Sequence, residues 1–477
     1  MGHPTIYPNG VTIYDPEKCF NGYTVFQANE HGAVLMDMNG GVVNHWENLQ
    51  GFPNKLLPGG YMMGSLGERP APYGHQDQVN LVQVDWDGNI VWQFDHLEYI
   101  EDPDLEPQWM ARQHHDYQRE GNTVGYYVPG MECKTDSGNT LILCHHNVVD
   151  PRISLETLTD DCIIEVDWEG NILWRWNCHE HFGEFGFDNM AKNSIARCRM
   201  KDKCGFDWMH INSMSVLGPN KWYDAGDERF HPDNIIIDGR QTNIIAIISK
   251  ETGKIVWKLG PDYTTKETRW IEQIIGQHHA HMIPAGLPGA GNILIFDNGG
   301  WAGYGAPDSI TPTGERAVRR DYTRVIEIDP VKMTIVWQLT PKELNHVMPH
   351  DAHRFYSPFI SSAQRLPNGN TLVTEGSSGR LIEVTKDHEI VWEYISPYWG
   401  TKNMRMNMIY RAYRYPYEYV PQVEKPEEVA IPRIDVTDFR MPGAKGKEFP
   451  KVTKVAGVWG YGGAGGFCVE KDEEESK

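Results

Sequence analysis

Several of the 20 histidines in this 477-residue chain stand in short clusters. Imidazole can ligate a metal, act as a nucleophile or transfer a proton. A buried histidine can also do no more than satisfy neighbouring backbone groups. Because the clusters recur in corresponding phrases of the chain, a shared functional site is favoured. The phrases are QHHD at 113–116, MHINS at 209–213, QHHAH at 277–281 and MPHDAH at 348–353.

A hairpin phrase recurs six times along the chain. Each copy has an alternating apolar segment, a polar turn such as DG or EG, a second β-branched segment and a closing tryptophan, as in LVQVDWDGNIVW at 81–92. This is the pattern of a β-hairpin. We expect the tryptophans to pack between neighbouring units. They are Trp46, Trp92, Trp174, Trp257, Trp337 and Trp392.

A second phrase, with a Pro/Gly/Asn turn between two strands, stands between the hairpins, as in SSAQRLPNGNTLVTEG at 361–376. Two hairpins make a four-stranded sheet, and six such sheets predict an all-β, six-bladed β-propeller. We place the propeller at 21–420, with an irregular N-terminal extension at 1–20 and a C-terminal extension with an acidic tail at 421–477.

If the second phrase supplies the inner strand of each blade, its leading residues face the central channel. The histidines occupy these positions. Adjacent residues of an extended strand point to opposite faces, so only one of His278 and His279 is expected to reach the channel, together with His281 if it shares that face with His279. Arg411 and Arg414 lie where the sixth blade is expected to contribute its inner strand, and Arg240 follows a strand as a plausible anion contact.

Composition narrows the partners. The net charge is −21, from 44 basic and 65 acidic residues, which disfavours nucleic acid and anionic membranes. The start of the chain lacks a signal-peptide pattern and the eight cysteines are sparse, so a cytoplasmic, reduced protein is expected. The expected partner is a small aromatic molecule, and a homo-oligomer remains open.

The histidines leave two chemistries open. One imidazole can be a nucleophile or acid–base group without a cofactor. Alternatively, imidazoles from several blades can ligate Zn, Fe or Cu. The metal ligands would then be His115, His210, His279 and His353.

Several phrases resemble the arylsulfotransferase family, six-bladed propellers that move a sulfuryl group between phenols. They are WMHINS at 208–213, the segments 235–260 and 277–299, and SSAQRLPNGNTLVTEG with its following hairpin to residue 394. The resemblance covers about residues 20 to 415. It implies that His210 and His278 bind the sulfuryl oxygens, and that the nucleophile comes from the following blade, near His350 and His353. The chain departs from the family in GWAGYG at 300–305, which lacks an expected arginine.

The leading hypothesis is therefore an arylsulfotransferase-like enzyme that acts on a small phenolic compound by histidine-mediated sulfuryl transfer. The alternatives are a metal-dependent lyase, hydrolase or oxidoreductase, and a non-catalytic scaffold. The predicted catalytic residues are His210, His278, His279 and His353. The predicted substrate-binding residues are His115, Asn212, Arg240, His350, Arg411 and Arg414.

Overall fold

Six antiparallel sheets form a ring, which confirms the predicted six-bladed β-propeller with four-stranded blades. The computed structural model describes residues 9–71, 73–198, 205–401 and 405–433. The larger part of the predicted C-terminal extension, residues 434–477, lies outside this set. Among the described residues, no helix is both long enough and apolar enough to cross a membrane.

The strands of each blade follow from the channel outward. Blade one has Ile409–Tyr415, Tyr23–Ala28, Gly32–Met36 and Val42–Trp46, and blade two has Lys55–Leu57, Tyr61–Gly64, Leu81–Val84 and Ile90–Phe94. Blade three has Gln113–Arg119, Thr140–Val148, Leu158–Val166 and Ile172–Asn177, and blade four has Ile211–Val216, Ile235–Gly239, Ile244–Ile248 and Ile255–Leu259. Blade five has His278–Met282, Ile293–Asp297, Arg324–Asp329 and Thr334–Leu339, and blade six has Ser362–Arg365, Thr371–Glu375, Arg380–Val384 and Ile390–Ile395.

Several shorter elements lie outside the four-stranded blades. Phe206–Asp207 adds a parallel pairing to blade three. Two extra hairpins pair Glu98–Ile100 with Gln108–Met110 and Ala302–Tyr304 with Glu315–Val318. The α-helices are Asn189–Arg197 and Lys221–Asp224. The 3-10 turns are Cys178–His181, Glu228–Phe230, Ala352–Arg354, Gly376–Ser378 and Tyr417–Tyr419.

The two ends of the described chain close the ring. Ile409–Tyr415 pairs with Tyr23–Ala28 and is the inner strand of blade one, so the expectation that it belongs to blade six is wrong. Pairing a late strand with an early hairpin leaves no open edge at the seam, which favours closure. At the other end, Gly10–Tyr14 pairs with Ile390–Ile395 as a fifth, outer strand of blade six.

The middle strands are buried on both faces because each blade is covered by a neighbour on either side. In Ile244–Ile248 all five residues are buried, and alternation is therefore lost, as in other doubly covered strands. The outer strands keep exposed positions, as in Ile90–Phe94. Burying one isoleucine side chain contributes about 1.5–3 kcal/mol, so contacts between blades supply much of the stability.

The repeated tryptophans join the blades through hydrogen bonds. The indole N–H of Trp92 donates to the Trp168 carbonyl at 2.9 Å, and Trp46, Trp257, Trp337 and Trp392 donate in the same way to the outer turn of the next blade. Blade three differs, because Trp176 rather than Trp174 donates, to the Gly253 carbonyl at 2.9 Å. Trp174 is only partly buried, so the predicted packing role belongs to Trp176, two positions later on the same side of the strand.

Candidate functional site

The inner strands of blades three, four and five begin with irregular backbone. His115, His210 and His279 have φ angles of 53°, 54° and 55°, which are uncommon for residues other than glycine. At each place the strand register shifts, as between Ile211 and Ser213. Such bulges re-aim side chains. They separate the channel histidines into two layers along the axis.

The upper histidine group, which we define as His115, His210 and His278, lies at the mouth of the channel. The rings of His115 and His210 are 4.7 Å apart between centroids at 74°. Burial, followed by the neighbouring His210 charge, lowers the pKa of His115 well below its ordinary value. Burial, followed by the charge of Arg240, does the same to the pKa of His278, on which His210 also acts. Imidazoles from three blades therefore lie close together, one blade fewer than the four phrases predict.

His210 is oriented by a carboxylate. Its Nδ1–H donates to Oδ2 of Asp207 at 2.5 Å, and its Nε2 forms no hydrogen bond with a residue that the structure describes. Burial alone would raise the pKa of Asp207, but the charge of His210 and this hydrogen bond hold it below its usual range. When the His210 ring is neutral, the ionised carboxylate keeps its proton on Nδ1 and leaves a lone pair on Nε2, the arrangement of an activated nucleophile or base.

His278 has a neutral partner instead. Its Nδ1 lies 2.7 Å from Oδ1 of Asn298, whose amide N–H groups donate to the carbonyls of Ser357 and Ile360. These two bonds fix Oδ1 as the acceptor, so His278 donates from Nδ1. An amide stabilises an imidazolium less than a carboxylate does, so Asn298 supports a positive charge on His278 less than Asp207 supports one on His210.

Arg240 supplies positive charge beside the group. Its Nη1 donates to Oε1 of Gln241 at 3.0 Å, and no carboxylate within the described part of the chain forms an ion pair with it. Burial, followed by the charge of Arg316, lowers the pKa of Arg240 to about 10, so the guanidinium stays charged. A partly buried cation without a carboxylate partner is suited to bind an anion.

Aromatic rings border the same space. The rings of Phe52 and Tyr410 are 4.4 Å apart between centroids, and each lies 5.7 Å from the ring of His115. Phe52 is half-buried, whereas Tyr410 is buried and donates its hydroxyl to the Asn212 carbonyl. These rings offer an apolar surface next to the upper histidine group and Arg240.

The lower layer contains His279 and His281, whose rings are 4.5 Å apart. His281 donates from Nδ1 to the His279 carbonyl at 2.8 Å and accepts at Nε2 from the Tyr126 hydroxyl at 2.9 Å. His279 lies 3.0 Å from the Ala363 carbonyl and 3.4 Å from the Tyr413 hydroxyl. His278 and His279 therefore lie in different layers, and His279 belongs to a hydrogen-bonded packing layer and not to the upper group.

A buried ion-pair network separates the two layers. Asp116 accepts from Nη1 of Arg411 at 2.9 Å and from Nζ of Lys55 at 2.6 Å. Arg411 also donates to the Asn212 carbonyl. Arg411 is therefore at the axis, as predicted, but its charge is already paired. The side-chain amide of Asn212 donates to the Gln277 carbonyl at 2.8 Å and joins blades four and five.

Three predicted residues lie away from the upper group. His350 and His353 are exposed on the loop before blade six, so their predicted place among the axial histidines is wrong. The inner strand of that blade begins at Ser362, directly after Ile360 and Ser361. Arg414 is also misplaced, because it pairs with Glu383 at 3.2 Å and with Thr24 at 2.7 Å between blades one and six.

The predicted metal ligands His115, His210, His279 and His353 are likewise not brought together. In the described ranges, three groups of His, Cys, Asp or Glu hold ligand atoms within 4.8 Å of one another. None contains His115, His279 or His353. The groups are His75 with Asp207 and His210; His114 with His145 and Asp161; and His146 with Asp160 and His179.

Sequence reasoning missed the acidic partners of the histidines. Asp207 stands three residues before His210 in FDWMHINS, a spacing that could have indicated the pair. No local sequence pattern indicates the roles of Asp77 and Asp161, because the residues they contact are far away in sequence. The same holds for Phe52, the aromatic neighbour of His115.

Comparisons with known proteins identify the family of the chain. The sequence profile of the family described as Arylsulfotransferase (ASST) matches residues 131–417, more than half of the chain, and this range includes His210, Arg240 and His278. No curated protein sequence shows significant similarity to the chain.

Solved structures of similar shape are distant. A protein of unknown function from Bacteroides caccae is 12% identical with a TM-score of 0.41, covering 82% of this chain and 98% of that chain. Streptogramin B lyase is 11% identical with a TM-score of 0.35, covering 83% and 85%. Dihydro-heme d1 dehydrogenase NirN in complex with DHE is 11% identical with a TM-score of 0.36, covering 87% and 78%. These likenesses carry no argument about function.

Proposed function

The chain belongs to the arylsulfotransferase family, and we propose that it transfers a sulfuryl group between small phenolic compounds at the upper histidine group. The observation that carries this proposal is the Asp207–His210 pair, with a free Nε2 beside the unpaired cation Arg240. A nucleophile next to an anion-binding group is what sulfuryl transfer requires.

In the first step, Nε2 of His210 attacks the sulfur of an aryl sulfate. The N–S bond forms with the nitrogen lone pair, and the S–O bond breaks with its electron pair on the departing phenolate. The ring of His210 becomes cationic in this step, and the Asp207 carboxylate at 2.5 Å stabilises that charge. In the second step, an acceptor phenol loses its proton to solvent and its oxygen attacks sulfur, which breaks the N–S bond and restores His210.

The remaining groups position the sulfate and the ring. Arg240 donates to the sulfuryl oxygens, whose charge grows in the transition state. His278 is neutral in the empty site, and an anion beside it favours protonation, which turns Nε2 into a second donor. Phe52 and Tyr410 provide the surface on which the aryl group packs.

This assignment differs from the nucleophile that the family resemblance implied. Where blades three to five have histidine, blade six has Ile360, Ser361 and Ser362, and none of these residues supplies an imidazole. His210 has a carboxylate partner and is only partly buried, whereas His115 and His278 are buried. We therefore assign the nucleophile to His210.

The test is to trap the sulfurylated enzyme. Wild-type protein is mixed with an aryl sulfate without acceptor, quenched within the first turnover and mapped by peptide mass spectrometry. The expected result is one sulfuryl group on the peptide that contains His210, and none in His210→Asn. His181→Asn is a matched control, since His181 also bonds a carboxylate, Glu184, at 2.8 Å but lies outside the channel. Label on His115 or His278 would overturn the assignment, and phenol release without any trapped label would overturn the covalent step.

A further inference from the structure

We propose that His114, His145 and Asp161 form a binding site for one divalent transition-metal ion in blade three. The three residues lie on three adjacent strands, Gln113–Arg119, Thr140–Val148 and Leu158–Val166, and His145 is directly opposite Asp161 in the sheet ladder. All three side chains are fully buried. Ligands placed on paired strands are held rigidly.

Three polar atoms converge here without hydrogen bonds. Nε2 of His114 lies 3.2 Å from Oδ1 of Asp161, and Nε2 of His145 lies 3.8 Å from the same oxygen. None of these atoms makes a hydrogen bond within the described part of the chain. The two rings stack 3.6 Å apart at 15°, so both nitrogens point toward one oxygen. Buried polar atoms without partners destabilise a fold, and a single cation between them would satisfy all three.

The other polar side-chain atoms of His145 and Asp161 are hydrogen-bonded. Nδ1 of His145 lies 2.7 Å from Oδ1 of Asp77, and Asp77 accepts in turn from Nε of Arg112 at 2.8 Å. Oδ2 of Asp161 accepts from the backbone N–H of Ile211 at 3.2 Å. Histidine ligands usually donate their other ring N–H to a carboxylate in this way, which fixes the tautomer and leaves Nε2 for the metal.

The donor set indicates the class of ion. Two imidazole nitrogens and one carboxylate oxygen suit Zn²⁺ or Fe²⁺, whereas Ca²⁺ and Mg²⁺ prefer oxygen ligands. Three protein ligands leave at least one position for water.

The neighbouring group of His146, Asp160 and His179 supplies a control. Both oxygens of Asp160 are already in use, because Oδ2 accepts from His179 at 2.7 Å and Oδ1 accepts from the Trp208 indole at 2.9 Å. His146 lies beside this pair, with Nε2 at 3.5 Å from Oδ2. The site around Asp160 is thus a hydrogen-bonded structural cluster, and His146 is adjacent to His145 in the chain.

A metal bound to His114 would be linked to the upper histidine group by one hydrogen bond, between His114 and His115. Nδ1 of His114 lies 2.8 Å from Nδ1 of His115. An ion on Nε2 of His114 keeps the ring proton on Nδ1, which then donates to His115, and His115 keeps its own proton on Nε2. The metal therefore acts as a positioning group for His115. This consequence rests on the proposed function, whereas the binding site itself does not.

The experiment measures metal in the full-length protein, without an activity readout. Wild type, His145→Gln and His146→Gln are stripped with a chelator and titrated separately with Zn²⁺ and, anaerobically, with Fe²⁺. Bound metal is measured by elemental analysis and stability by thermal unfolding. Wild type and His146→Gln are expected to bind one ion per chain and to unfold several degrees higher when loaded. His145→Gln is expected to lose affinity by more than about 100-fold, because it removes a ligand and loss of a ligand's hydrogen-bond partner alone costs about 10- to 100-fold.

Two results would overturn the site. Wild type that binds neither ion and shows no thermal shift would do so, as would His145→Gln that binds like wild type. If His145→Gln does not fold, anomalous diffraction from metal-soaked wild-type crystals decides. A peak between His114, His145 and Asp161 supports the site, and a peak elsewhere or none refutes it. Because sulfuryl transfer is not measured, failure of the proposed function would leave these results unchanged.

Discussion

Replacing Asp207 by asparagine removes one negative charge beside His210 and keeps the size of the side chain. The side chains of His210 and Asp207 are 16% and 13% exposed, so an effective dielectric constant of about 20 applies. With charge centres about 4 Å apart, the carboxylate stabilises a cationic ring by about 4 kcal/mol. Since about 1.4 kcal/mol corresponds to a factor of ten, Asp207→Asn is expected to slow sulfurylation about 1,000-fold.

The assay follows release of a chromogenic phenol from its sulfate in a stopped flow, with and without acceptor. The first-turnover rate should fall, whereas KM should change little, because Asp207 acts on the ring that becomes charged and not on the bound sulfate. Glu184→Gln removes the same kind of carboxylate from His181 outside the channel and should leave the rate unchanged. An Asp207→Asn rate within threefold of wild type, in a folded protein, would refute the role of this pair in activating the nucleophile.

Three further predictions concern binding and stability. Arg240→Gln should lower kcat/KM by about 10- to 150-fold, since a charge-assisted hydrogen bond contributes about 1.5–3 kcal/mol, and Arg229→Gln on the surface should not; equal rates for both would contradict the anion site. Burial lowers the pKa of His281 from 6.5 to about 4, so stability from the neutral ring is present above pH 6.5 and is lost as the pH falls toward 4. The free energy of unfolding of His281→Gln should then fall by about 2 kcal/mol less than that of wild type between pH 7.5 and pH 5 in denaturant titrations. Equal decreases in the two proteins would rule this out. Trp176→Phe should destabilise the protein by about 1–3 kcal/mol through an unpaired Gly253 carbonyl, and more than Trp174→Phe; the reverse order in thermal unfolding would show that the indole bond is not what joins blades three and four.

The fold could be predicted from the sequence because it depends on a local hairpin pattern that recurs six times. Turn residues such as Asp85 to Asn89 and the alternation of the flanking strands specify each hairpin without reference to distant residues. The closure strand was misassigned for the opposite reason. Ile409–Tyr415 pairs with Tyr23–Ala28, almost 400 residues away, and no local pattern in YRAYRYPYEY distinguishes an inner strand of blade one from one of blade six.

The site was readable only in part. The convergence of imidazoles from blades three, four and five followed from the recurrence of histidine at the start of their inner strands, but which histidine of blade five joins His115 and His210 did not. The depth of His279 did not, because it depends on a bulge at a φ of 55° that a regular strand does not have. His353 was misplaced because it precedes the inner strand on an irregular loop, for which the repeat gives no position.

The sequence by itself determined the all-β architecture, the six repeats and the convergence of imidazoles from several blades, since these depend on short-range alternation, turn chemistry and residue type. Only the tertiary structure decided which histidine has a carboxylate partner, which arginine is left without one, and which polar atoms are buried unpaired. Those properties arise from side chains on different blades, such as Asp77 with His145 or Arg411 with Asp116. Their electrostatics depend on distance and burial in three dimensions and not on separation along the chain.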